Sequence, residues 1–286
     1  MHDTKEWNAW VIGGDSRYPH AVGTLRAKGL PVRTFGVGSM PNDAPDLRTA
    51  IKNANQILLP LSSLESGWLE AEDDRMETAL IPVLLRKGSV IAAGRIPGDL
   101  ALWSGTFGVR CESLLEQEPF QIANAAVTAE GALGLALQVM DRTLFGAQVL
   151  VIGWGRIGKL LAGKLCALGA RVTVSGRRPA QLAEIEAMGY RPEVTGVYGC
   201  GLKDYDIIIN TVPATVLEAS QAENTKEDCI LMELATLPGG FTSEVRWMRN
   251  VVLAPGLPGR TAPRSAGEIL AEAFLDCIGG EECSLE

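Results

Sequence analysis

Residues 148–178 read QVLVIGWGRIGKLLAGKLCALGARVTVSGRR, and the fold follows from how this stretch is read. Its first five residues, Gln148-Val149-Leu150-Val151-Ile152, are the short apolar, β-branched run of a parallel strand buried on both faces. Gly153, Gly155 and Gly158 follow at G-x-G-x-x-G spacing. Leu160, Leu161, Leu165 and Leu168 then recur at helical intervals up to Gly169, a residue suited to ending a helix. Residues 171–175 form a second strand in this reading. In such a unit the first glycine permits the tight turn and the second lets a pyrophosphate approach the backbone. The third lets the helix pack closely on the sheet, with its N-terminus facing the phosphates. A glycine pattern alone is weak evidence, but here strand, helix and second strand surround it at the right distances. Dinucleotide binding is therefore preferred over a plain βαβ turn.

The end of the second strand bears on which dinucleotide. An NAD site commonly has an acid there for the ribose 2′-hydroxyl. This chain has Ser175-Gly176-Arg177-Arg178 and no acid until Glu184. Two guanidiniums and a hydroxyl suit a 2′-phosphate, so NADP is expected; a solvated basic loop is the plainer alternative. The candidate cofactor residues are Gly153, Trp154, Arg156, Ile157, Gly155, Gly158, Ser175, Gly176, Arg177 and Arg178. Thr211, Val212, Pro213, Gly256 and Leu257 join them, at the ends of later strands, where small and proline-fixed residues let a nicotinamide ring approach the backbone. Trp154 is bulky for its place, and either covers the pyrophosphate or packs on the first domain.

The chain has 286 residues, 47% hydrophobic and 21% charged, enough for two domains with their own cores. A net charge of −8 argues against a nucleic-acid surface, which calls for a basic face. No apolar run is expected to reach the roughly 18 residues of a membrane span. The first residues lack the order of a signal peptide. A cytoplasmic protein is the expectation. Six cysteines without C-x-x-C spacing, and only His2 and His20, favour reduced structural thiols and no metal site.

Outward from the glycine turn, the pattern reads as strands and helices in alternation. The N-terminal part offers strands over 7–14, 31–37, 56–61 and 89–93, with helices over 16–28, 46–54 and 73–86; Asp46 is a candidate N-cap. Residues 105–124 look like a boundary, and 128–144 a long amphipathic helix. Further strands are expected over 206–211, 230–234 and 251–253, and a final helix over 264–277. The fold class is α/β: two Rossmann-like, doubly wound parallel-sheet domains joined by a long helix, with a C-terminal helix crossing back. The expected division is 1–124, a substrate or partner domain, and 125–286, the NADP-binding domain. The latter includes a bridging helix (125–145) and a return helix (264–280).

Ligands in such sheets sit beyond the carboxyl ends of the strands, which makes Asp15-Ser16-Arg17, Ser62-Ser63 and Gly94-Arg95 the first domain's candidates. His20 falls within a helix, so a lactate-type dehydrogenase with a histidine base is disfavoured, and no proton acceptor is assigned. Glu130 is either a substrate-facing acid or a favourable charge near a helix N-terminus.

Five blocks occur in one order: ILLPLSS (57–63), VTAEG (127–131), VIGWGRIG (151–158), LATLPGG (234–240) and LAPGLPG (253–259). With Thr261-Ala262-Pro263 and Ser265-Ala266-Gly267 after them, the chain resembles the A-subunit family of dipicolinate synthase over nearly its whole length. The resemblance implies oxidation of dihydrodipicolinate to dipicolinate with NADP, on a branch of the lysine pathway in spore-forming bacteria, alongside a flavoprotein-like B subunit. Ser62, Ser63, Thr128 and Glu130 sit in matching blocks and are substrate-side candidates, with Arg17 added by position. Alternatives are an NADP-dependent dehydrogenase of another small dicarboxylate, and a non-catalytic NADP-binding subunit that positions a partner enzyme. Self-association is expected of a two-domain enzyme of this size.

Overall fold

The computed structural model describes residues 8–62, 64–198 and 201–279. The chain divides into two compact units, one made of residues 1–124 and 262–286, the other of 125–261.

The first unit opens with β1 (Ala9–Ile12), α1 (Tyr18–Ala27), β2 (Val32–Phe35), α2 (Leu47–Lys52) and β3 (Gln56–Leu58). Asp46 caps α2 by accepting the Thr49 N–H at 2.6 Å, as its sequence position suggests. Then come β4 (Trp68–Ala71), β5 (Asp74–Glu77), α3 (Ile81–Leu84), β6 (Val90–Ala93), α4 (Gly98–Phe107), β7 (Arg110–Ser113) and α5 (Glu118–Val139). Five parallel strands form the sheet β2-β1-β3-β6-β7, and the order reverses between β1 and β3. Alternate residues of β1 feed different cores: Trp10 and Ile12 pack with Leu47 and Ile91, while Ala9 and Val11 pack with Val22 and Phe274. Burial on both faces is what makes this strand read as a continuous apolar run.

Two expectations in this unit need correction, and a third is refined. No single helix spans 73–86; residues 68–77 form an antiparallel hairpin followed by the short α3. Leu69, Ala71 and Met76 are buried on one face of it, Glu72 turns the chain at a φ of 54°, and the Arg75 guanidinium lies 4.8 Å above the Trp68 ring. Residues 105–124, expected as the boundary, include β7, which completes the sheet, and the units divide at the end of this stretch. Finally, the long helix starts at Glu118 and ends at Val139, earlier than the apolar stripe suggests. Pro119 is tolerated because it lies in the first turn. By length and composition α5 is also apolar enough to cross a membrane, where no such run was expected. Ala129, Ala132 and Ala136 are fully buried in the core of the second unit, as in a core helix. The two units divide within α5, after Asn124.

The second unit continues with β8 (Gln148–Ile152), α6 (Arg156–Ala167), β9 (Arg171–Gly176), α7 (Pro179–Ala187), β10 (Arg191–Val194) and β11 (Ile207–Asn210). It is completed by α8 (Ala219–Ala222), β12 (Ile230–Glu233), α9 (Ser243–Arg246), β13 (Val251–Leu253) and α10 (Leu257–Thr261). Its six parallel strands run β10-β9-β8-β11-β12-β13, the 3-2-1-4-5-6 order of a dinucleotide-binding sheet. Val149 and Val151 of β8 face one core and Leu150 and Ile152 the other. Gly131 of α5 leaves room for α10, since a Cβ there would lie 2.6 Å from Thr261 Oγ1.

The last helix, α11 (Pro263–Gly279), belongs to the first unit and packs on α1. Gly267 makes this possible: a Cβ on it would lie 2.5 Å from the Arg17 carbonyl oxygen. The Ser265-Ala266-Gly267 block therefore reports a close helix crossing.

At the amino edge of the second sheet, buried Asp206 ties β11 to β8. Its carboxylate accepts the Gln148 N–H at 2.8 Å and faces Lys226 Nζ at 2.6 Å and Arg142 at 2.7 Å. Burial alone would raise its pKa, but these partners hold it below the ordinary aspartate value. A depressed pKa stabilises the fold above the unfolded value, and that stabilisation is lost as pH falls through the folded one. Replacing Asp206 with Asn should therefore cost about 1.5–3 kcal/mol at neutral pH. The deficit should shrink below roughly pH 4, which urea unfolding at several pH values measures.

Candidate functional site

The candidate site lies at the carboxyl edge of the second unit's sheet, where β8 and β11 diverge. Gly153 leaves β8 at a φ of 107°, and its N–H donates to the Ser175 carbonyl at 3.1 Å. A Cβ on Gly153 would lie 2.5 Å from Thr211 Oγ1 and 2.7 Å from Val212 Cγ2. Gly158 is needed for a different reason: its Cβ would fall 2.0 Å from the Gly153 carbonyl oxygen. Gly155 is different again. It is the extended N-cap of α6, no side chain caps this helix end, and a Cβ would meet nothing within 4 Å. An uncapped helix N-terminus beside open space is a cradle for an anion, with the first-turn N–H groups of Arg156, Ile157 and Gly158 as donors. These residues fit the pyrophosphate of a dinucleotide.

The remaining cofactor candidates fall into two groups. Ser175 and Gly176 are buried at the end of β9, with Ser175 Oγ 2.9 Å from Thr195 Oγ1. Arg177 and Arg178 are exposed, and among the described residues neither guanidinium is in an ion pair. Their backbone N–H groups both donate to Gln181 Oε1, at 3.1 and 3.2 Å, which fixes the turn and leaves the side chains available. Glu184, the next acid, is engaged by Lys159 at 2.6 Å, which lowers its pKa. Thr211 follows β11 and donates to the Ile152 carbonyl at 2.9 Å, so Thr211 and Val212 lie against the glycine turn, with Pro213 next in the chain.

Two candidates point elsewhere. Trp154 is 4% exposed and packs in the unit's own core, edge-on to Tyr190 with ring centroids 5.9 Å apart. Its indole thus covers no phosphate, and only its backbone is left for the cofactor. Leu257 is likewise buried at the start of α10, while Gly256 before it has open space around its Cα.

Of the substrate-side candidates, Arg17 and Ser62 follow neighbouring strands β1 and β3 at the first unit's own switch point. Ser63 lies outside the described residues. Ser62 is exposed. Arg17 forms a two-pronged pair with Asp15, Nε to Oδ1 at 2.8 Å and Nη2 to Oδ2 at 2.5 Å. Burial alone would raise the Asp15 pKa; the Arg17 guanidinium holds it below the ordinary range. Thr128 is buried on α5, and Glu130 is exposed and paired with Lys164 at 2.8 Å.

Sequence reasoning passed over a buried polar pair in the unit. Asn210 and Glu233 face each other at the ends of β11 and β12, almost wholly buried, with Asn210 Nδ2 donating to Glu233 Oε1 at 2.7 Å. The available signal was a polar residue closing each of two apolar strands, IIIN and ILME.

With this geometry in view, the chain can be set beside known proteins. Residues 121–233 match the model of the D-isomer specific 2-hydroxyacid dehydrogenase NAD binding domain. The A subunit of dipicolinate synthase from Bacillus subtilis (strain 168) is 31% identical over 280 residues, spanning 92% of this chain and 93% of that protein. The chain belongs to the dipicolinate synthase A-subunit family. The crystal structure of a Bacillus halodurans member agrees with a TM-score of 0.79 at 30% identity, covering 94% of this chain and 97% of that one. The crystal structure of the Bacillus subtilis member gives 0.77 at 28% identity, covering 98% of each. A transhydrogenase of Sinorhizobium meliloti, at 18% identity and a TM-score of 0.67, shares the fold. Family and domain together make this chain a dehydrogenase-type oxidoreductase that uses a nicotinamide cofactor.

Because the Gly155 position is open, Gly155→Asp should leave the melting temperature near that of wild type. It should abolish dinucleotide binding by placing a carboxylate where the phosphates approach. Calorimetric titration with NADPH alongside thermal unfolding tests both halves.

Proposed function

We propose that this chain oxidises dihydrodipicolinate to dipicolinate with NADP, as the A subunit of a dipicolinate synthase acting with a flavoprotein-like B subunit. The observation that carries this reading is the extent of the similarity, 92% of this chain and 93% of the Bacillus subtilis protein. Such coverage takes in both units, whereas a shared nucleotide domain alone would match only residues 121–233. When bound, NADP supplies the hydride acceptor. Oxidation removes a hydride from ring carbon and a proton from a neighbouring atom, yielding dipicolinate, NADPH and a proton. Aromatisation contributes the driving force, so the reaction needs no strong base.

For NADP over NAD, the support is local. β9 ends in buried Ser175 and Gly176, the next two side chains are exposed guanidiniums, and the nearest following acid is held by Lys159. Arg177 and Arg178 are the proposed 2′-phosphate ligands. Ser62, Ser63, Thr128, Glu130 and Arg17 remain the proposed substrate side; Arg17 would have to share its guanidinium between Asp15 and a substrate carboxylate. A cytoplasmic location and self-association complete the reading.

Turnover of freshly generated dihydrodipicolinate with NADP, with and without the B subunit, tests the proposal. Dipicolinate and NADPH should form together. NADP binding without oxidation under either condition would remove the substrate, and turnover by the B subunit alone would make this chain its positioning partner. Separately, replacing Arg177 and Arg178 with Ala should weaken NADP binding by about tenfold or more for each guanidinium removed, while NAD binding stays nearly unchanged. Equal losses for both cofactors would count against the phosphate role.

A further inference from the structure

We propose that Glu233, together with Asn210, is a positioning pair that sets two strand-end loops for the nicotinamide half of the dinucleotide. The inference rests on the reading that the second unit binds NADP.

The argument starts from what Glu233 touches. It is 4% exposed, and its carboxylate meets four donors and no cation among the described residues. Oε1 accepts from Asn210 Nδ2 at 2.7 Å and from the Ala235 N–H at 3.0 Å. Oε2 accepts from the N–H groups of Gly240 at 2.8 Å and Phe241 at 3.0 Å. A carboxylate has about four acceptor positions, so this one is saturated. The loop over residues 235–241 is thus closed onto the end of β12 from both sides. Arg246 holds the same loop by donating to the Phe241 carbonyl at 3.1 Å and to the Pro238 carbonyl.

Asn210 does for the neighbouring loop what Glu233 does for this one. Its Oδ1 accepts the Val212 N–H at 3.0 Å and its Nδ2 donates to the Val212 carbonyl at 2.9 Å. The loops themselves are in contact at Gly240, where a Cβ would lie 2.3 Å from Asn210 Nδ2 and 2.8 Å from the Val212 carbonyl. Beyond Val212 the contacts reach the glycine turn, through Thr211 against Gly153. A continuous chain of packed groups therefore runs from the pyrophosphate cradle, across the switch point, to the loop after β12.

Position assigns this chain of groups its role. A dinucleotide sheet consists of two mononucleotide-binding halves; the glycine turn and the end of the second strand serve the adenosine half. Here those are β8 to β10, so the strand ends of β11 and β12 serve the other nucleotide. Stability alone would be met by an apolar pair, because burying a carboxylate is costly even when it is fully bonded. The network instead directs three bonds to the backbone of the loop after β12 and one to the side chain that holds the next loop.

Glu233→Gln turns an amide N–H₂ toward backbone donors, and Asn210→Asp sets two buried carboxylates against each other. Glu233→Asp is the conservative variant. NADPH and adenosine 2′,5′-bisphosphate, which lacks the nicotinamide half, serve as probes in calorimetric titration of the full chain. The first two variants should lose about tenfold or more in NADPH affinity, and adenosine 2′,5′-bisphosphate affinity should stay within about threefold of wild type. Glu233→Asp should recover part of the NADPH loss. Equal loss of both probes, unchanged NADPH affinity in folded variants, or unfolding of all three variants would overturn the pair's positioning role. Wild-type protein binding neither probe would instead sink the cofactor reading on which the inference stands.

Discussion

One approach of backbone to backbone organises the second unit: the start of α6 lies so close to the end of β8 that Gly158 has no room for a Cβ against the Gly153 carbonyl. Dense packing of helix on strand removes the slack that would let the turn fold otherwise. It directs the uncapped end of α6 outward at the sheet's carboxyl edge, and brings Thr211 and Val212 against Gly153. Through Thr211 and Val212 this contact connects the glycine turn to the Asn210–Glu233 pair behind it.

The two units answer one physical demand with different strand orders. Parallel strands buried on both faces need helices on both faces, and the strand order must reverse somewhere to supply them. In the first unit the reversal lies between β1 and β3, and in the second between β8 and β11. Each reversal collects loops at one edge. Glycine-rich turns follow both leading strands, but they differ in kind. Gly13 and Gly14 lead to Asp15 and Arg17, which neutralise each other, whereas the turn after β8 leaves a helix end uncapped.

Most of the sheet was legible in the sequence because its inner strands are apolar but for a polar residue at one end of some; AWVI, QIL, VIAA, QVLVI and IIIN each stand out from their surroundings. Elements at the edges were harder. β7 (RCES) and β10 (RPEV) are largely half-exposed and polar, and nothing in their composition separates them from loop. The hairpin of β4 and β5 read as helix in part because its acids and single apolar residues fit either period over so short a span. At the site, glycine spacing revealed the cradle, since glycine reports local backbone shape. Glu233 escaped for the opposite reason: three of its four partners are the Asn210 side chain on the neighbouring strand and N–H groups seven and eight residues onward, relations no local pattern encodes. Trp154 was legible as unusual but not in its direction, which depends on Tyr190, distant in sequence.

The attachment of α11 to α1 has a bearing on how the molecule comes into being. Chains emerge from the ribosome N-terminus first and fold largely unit by unit. The second unit is a single uninterrupted segment, complete once Thr261 has been made. The first unit begins to emerge sooner yet lacks Leu270, Ala271 and Phe274, which fill the core beneath β1 and α1, until the last helix is synthesised. The half of the protein translated first is thus finished last, and the nucleotide-binding half matures while its host is still open.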